Sequence, residues 1–104
     1  QRLLNRAGRT YEERRGALRA ALSSQGIGSR GASGLNVWIP APEEARLVGA
    51  LLARGWAVAA GERYRIRTGP ALRVTAAALE PRDALRFAEN LAACLRHEPA
   101  VAEA

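Results

Sequence analysis

The chain has 104 residues, 16 of them arginine and none lysine, against 10 acidic residues, for a net charge of +6. At that length it is one domain with a single modest core, and 48 % hydrophobic residues mark it as globular rather than disordered. No run approaches the about 18 apolar residues of a membrane span, the opening Gln1-Arg2-Leu3-Leu4 is no signal peptide, and one cysteine excludes an internal disulfide.

The first helix is expected from about Leu3, with its clearest part from Tyr11 to Ser23. Tyr11, Arg15, Leu18 and Leu22 share one face, with Ala17 and Ala21 beside them. Glu12 and Glu13 precede Arg14 and Arg19, the order the helix dipole favours, and Gly26 is the expected stop. Residues 26–34 hold four glycines and read as a loop with room for a short edge strand. No Lys-Ser/Thr follows them, so they make a poor phosphate cradle.

Leu35 to Ile39 reads as a strand with Leu35, Val37 and Ile39 on one face and Asn36 and Trp38 on the other. Pro40 ends it. A helix is expected from Pro42 to Arg54, with Glu43 and Glu44 in its first turn and Leu47, Val48, Leu51 and Leu52 as its apolar stripe. Gly55 closes it.

Trp56 to Ala60 reads as a short strand, followed by a turn at Gly61-Glu62. Tyr64 and Ile66 then alternate with Arg63, Arg65 and Arg67 as in a half-exposed strand. After the Thr68-Gly69-Pro70 turn comes a strand from Leu72 to Thr75, with Leu72 and Val74 on one face and Arg73 and Thr75 on the other. The last helix is expected to start at Glu80-Pro81 and to bury Ala84, Ala88, Leu91 and Leu95, widened by Leu85, Phe87 and Ala92. Residues 98–104 read as a frayed tail.

The order α–β–α–β–β–α predicts an α/β (α+β) fold, a two-layer sandwich in which a small, mostly antiparallel sheet carries helices on one face. Its uncovered face then bears Asn36, Trp38, Arg73 and Thr75. Cys94 and His97 stand three apart with no second pair to complete a metal site. Cys94 reads as a small apolar residue of the packed face, and His97 suits the last helical turn. Arg14-Arg15 and the Arg63–Arg67 run lack the interleaved aromatics of a nucleic-acid stripe. They read as a solvated face or a subunit contact.

Taken in order, Tyr11-Glu-Glu-Arg-Arg15, Gly34-Leu-Asn-Val-Trp-Ile39, Leu52-Ala-Arg-Gly-Trp-Ala-Val58, Ala60-Gly61 and Leu72-Arg73-Val74 resemble a known pattern. It is the C-terminal small domain of class I/II, fold-type I pyridoxal-phosphate aminotransferases. Within them the chain is most similar to MocR-type members of the GntR transcription regulators, which join a DNA-binding helix-turn-helix domain to an aminotransferase-like domain.

The resemblance implies that Arg73 pairs with the carboxylate of an amino-acid ligand, a role for which the guanidinium fork is suited. An exposed ion pair is the plainer alternative. It also implies that Gly34 precedes the strand facing the substrate pocket and that Gly61 is the glycine of a Pro-Gly turn, here with Ala60 for proline. Asn36, Trp38, Gly61 and Tyr64 are then possible pocket-lining residues, with core packing as the alternative for Tyr64.

The cofactor lysine and most other pyridoxal-phosphate ligands of the family belong to a large domain, expected upstream of Gln1. The expected parent is a cytoplasmic homodimer that binds the cofactor, an amino acid or related carboxylate and, in the regulator, DNA. This piece alone is expected neither to hold the cofactor nor to catalyse. The competing readings are the small domain of a true aminotransferase and an unrelated α/β interaction module using the Trp38 face.

Overall fold

The computed structural model describes residues 2–31, 36–61, 69–76 and 79–97. The elements are α1 (Arg2–Ser24), β1 (Asn36–Pro40), α2 (Glu44–Ala53), β2 (Ala59–Ala60), β3 (Ala71–Thr75) and α3 (Pro81–Leu95). The three strands form one antiparallel sheet in the order β1-β3-β2. The fold is the expected α+β sandwich, with the helices packed against the sheet.

Alternation along the strands sets the layers. Val37 and Ile39 of β1 and Leu72 and Val74 of β3 are buried, and they join Leu18 and Leu22 of α1, Leu47 and Leu51 of α2, and Phe87 and Leu91 of α3 in one core. α3 packs on both α1 and α2. Trp56 meets Phe87 edge-to-face, ring centroids 5.4 Å apart, a favoured aromatic geometry. Cys94 is buried among these apolar residues, as expected.

Two helices end on glycine in the same way. Ile27 N–H bonds Leu22 C=O and Gly26 N–H bonds Ser23 C=O, each at 2.9 Å, with Gly26 at φ 75°. Trp56 and Gly55 repeat the pattern onto Leu51 and Leu52, with Gly55 at φ 91°. Both are Schellman motifs, in which a left-handed residue lets the chain turn back and satisfy the last carbonyls. Trp56 therefore belongs to the cap of α2 rather than to a strand, and β2 is only Ala59–Ala60.

Further boundaries differ from expectation. α2 begins at Glu44, because Glu43 is left-handed at φ 56° and leaves Pro42 outside the helix. Leu52 and Leu85 are exposed, each lying off the buried stripe of its helix. Arg15, placed on the same helical face as Leu18 and Leu22, is buried. His97 stands past the end of α3, left-handed at φ 60°, where the other two helices have glycine.

At that corner Arg46 Nη1 donates to Cys94 C=O at 3.2 Å while its Nε donates to Glu43. The hydrogen bond from Arg46, then its charge and that of His97, hold the Glu43 carboxyl below its ordinary range. The expected strand at 63–67 and the tail at 98–104 lie outside the described residues. Among the described residues no helix is long and apolar enough to cross a membrane, and no cluster of His, Cys, Asp and Glu could hold a metal.

Candidate functional site on the open sheet face

β3 is the central strand, so its residues have neighbours on both sides. Trp38 of β1 and Ala59 of β2 both stand opposite Arg73. The three form a row across the face that points away from the core. On the same face, Asn36 stands opposite Thr75, and Thr75 Oγ1 donates to Asn36 Oδ1 at 3.2 Å.

The backbone of Trp38 fixes how close its side chain comes to Arg73. Its N–H and C=O both bond Arg30, each at 2.8 Å, on the outer edge of β1. In an antiparallel ladder the two groups of one residue point the same way, so toward β3 Trp38 forms a non-hydrogen-bonded pair. Side chains in such pairs stand closer than in hydrogen-bonded ones. Trp38 and Arg73 are thus the near neighbours of the row. Both are half-buried, and the Nε of Arg73 is shielded from solvent.

Gly61 completes the face. It is buried, and a Cβ placed there would lie 3.0 Å from Trp38 Cζ3 and 3.0 Å from Ala71 C=O. The indole of Trp38 therefore reaches from β1 over β3 to the end of β2. Ala71, two residues before Arg73 on the same face, is also buried.

The start of β3 is pinned from the helix layer. Ala71 N–H bonds Glu44 Oε2 at 2.9 Å, and Ala41 N–H bonds Pro70 C=O at 3.0 Å. The loop carrying Arg30 is held in turn by Arg19, which donates to Ser29 Oγ at 3.2 Å and Ser29 C=O at 3.1 Å. A strand-borne guanidinium with its neighbours fixed in this way is suited to a planar anion such as a carboxylate.

Of the sequence-derived candidates, Asn36, Trp38, Gly61 and Arg73 come together on this face. Gly34 and Tyr64 lie outside the described residues. Sequence reasoning missed Ala59, Ala71 and Arg30. The first two are small residues whose place depends on strand register, and the third needs the Arg30–Trp38 bridge; none leaves a signal in composition. Compared with protein-family models, curated proteins and solved structures, the chain matches none.

Proposed function

We propose that this chain is the C-terminal small domain of the aminotransferase-like part of a MocR-type transcription regulator, and that Arg73 binds the carboxylate of an amino-acid effector. The observation that carries the reading is the place of Arg73: central strand, the face away from the helix core, close pair with Trp38. A guanidinium fixed there offers two parallel donors to a carboxylate. In this reading the ligand sits between the open face and a large domain, and its occupancy shifts one against the other.

The chain contains no lysine, so its residues do not fit a Schiff-base site for pyridoxal phosphate. The cofactor belongs to the large domain in this reading, and no chemical step is assigned to residues of this chain. The parent is a cytoplasmic homodimer whose DNA contacts come from a separate N-terminal domain.

The test is a visible absorbance titration of the full-length protein with pyridoxal phosphate and then with amino acids, for wild type and Arg73→Ala. The cofactor band forms and responds to an amino acid in the wild type. The variant requires about 10- to 100-fold more amino acid, as expected for losing a charge-assisted hydrogen-bond pair. Accumulation of the oxo acid would identify a true aminotransferase instead. A band that never forms, or an Arg73→Ala protein that titrates like wild type, overturns the reading.

A further inference from the structure

We infer that Trp38 limits the size of the ligand held at Arg73, and that Gly61 holds Trp38 in the position where it does so; the inference rests on the carboxylate-binding reading of Arg73. The root of Trp38 is fixed by its two backbone bonds to Arg30 and by its register opposite Arg73. Its ring tip is located by Gly61, where a Cβ would meet Cζ3 at 3.0 Å. β3 lies between β1 and β2, so an indole rooted on β1 and ending at Gly61 crosses the central strand. The residues it crosses toward are the two smallest types available, Ala71 and Gly61.

The result is a flat apolar wall on one side of Arg73. The other cross-strand neighbour of Arg73 is Ala59, a single methyl group. A carboxylate seated on the guanidinium thus has an aromatic plate on the Ala71 side, running from β1 to the end of β2, and the small Ala59 as its cross-strand neighbour on β2. The plate excludes bulk on its own side, and its position depends on there being no side chain at residue 61. A methyl group there would collide with backbone oxygen on one side and with the ring on the other. Backbone yields less than a ring rotating about two torsions, so the indole is what moves. Gly61 is in this sense a positioning residue acting through Trp38.

The test uses the full-length protein with its cofactor, with L-alanine and L-phenylalanine as probes and calorimetric Kd values as the readout. Trp38→Phe removes the outer ring while keeping an aromatic on the strand. It raises the affinity for L-phenylalanine relative to L-alanine by about tenfold, the scale of hydrophobic size discrimination. Gly61→Ala weakens L-alanine binding by about tenfold, as a displaced positioning group does. In Gly61→Ala combined with Trp38→Phe that added loss shrinks, because the ring contact is gone and only the contact with Ala71 C=O remains.

An unchanged probe ratio in Trp38→Phe overturns the inference. So does a Gly61→Ala loss that persists in full in the double variant. Should Gly61→Ala fail to fold, the Trp38→Phe ratio alone decides. Failure of the underlying reading looks different: Arg73→Ala then binds both probes as wild type does, or neither probe binds the wild type.

Discussion

The two faces of β3 are built by opposite rules. Leu72 and Val74 point into an apolar core that draws buried residues from all three helices. Arg73 and Thr75, on the other face of the same strand, meet Trp38, Ala59 and Asn36, and are half-buried or exposed. Burial on the helix side supplies the folding energy, at roughly 25 cal/mol per Å² of apolar surface. The open side contributes little of that kind and carries instead the guanidinium, the indole and the hydrogen-bonding pair.

The largest effect tests the packed side. Phe87 is 1 % exposed and stacks edge-to-face on Trp56, the residue that closes the cap of α2. Phe87→Ala removes a full ring from the core and leaves a cavity, at a cost of about 3–5 kcal/mol. Urea denaturation followed by circular dichroism measures it. A loss under about 1 kcal/mol would mean that the helix layer is not close-packed against Trp56, and the contrast between the faces would fail.

How far the sequence reveals this arrangement depends on the kind of signal. The element order and the inward residues Val37, Ile39, Leu72 and Val74 follow from period-two alternation, and the Gly26 and Gly55 stops follow from left-handed capping. The start of α2 does not follow, because Pro42-Glu43-Glu44 has every feature of a first turn while Glu43 in fact takes a left-handed bend. Trp56 looks like a strand residue because it is aromatic and follows glycine, yet its N–H completes a helix cap.

Leu52 and Leu85 are apolar at positions beside a stripe, and periodicity alone cannot say how wide that stripe is. The site divides the same way. Arg73 is visible as a charge among apolar residues. Its pairing with Trp38 and Ala59 is a property of register, set by contacts some 35 residues away in sequence, between β1 and β3.

A smaller effect tests the open side. Thr75 is exposed, and its hydroxyl donates across the strands to Asn36 at 3.2 Å. Thr75→Val keeps the β-branched shape and deletes only that bond. The expected cost is about 0.5 kcal/mol, the low end for a solvent-accessible hydrogen bond. The same urea experiment measures it beside Phe87→Ala. A Thr75→Val loss approaching that of Phe87→Ala would show that the open face shares in the folding energy after all.

The smallest effect lies at the rim of the packed side, where α2 begins and α3 ends. Glu43 accepts from Arg46, Arg46 also donates to the Cys94 carbonyl near the end of α3, and His97 stands nearby as a second cation when protonated. The Glu43 carboxyl is held below its usual 4.5, first by the Arg46 hydrogen bond and then by the two charges. A carboxyl whose folded pKa is lower than its unfolded one adds stability that is complete above the unfolded value and is lost as pH falls through the folded value. The expected window is therefore below 4.5.

Glu43 is exposed, so solvent and salt weaken the effect. Glu43→Gln removes the titrating group while keeping its length. Between about pH 5 and about pH 3, a range spanning ordinary carboxyl titration, the urea midpoint of wild type should fall slightly further than that of Glu43→Gln. High salt should narrow the gap. The other carboxylates titrate in both proteins, so only the difference reports on this corner. Identical acid profiles would mean that the Glu43–Arg46 pair is a contact without energetic weight, leaving the apolar layer and the hydrogen bonds from Arg46 to Cys94 and from Arg54 to Asn90 to hold α2 against α3.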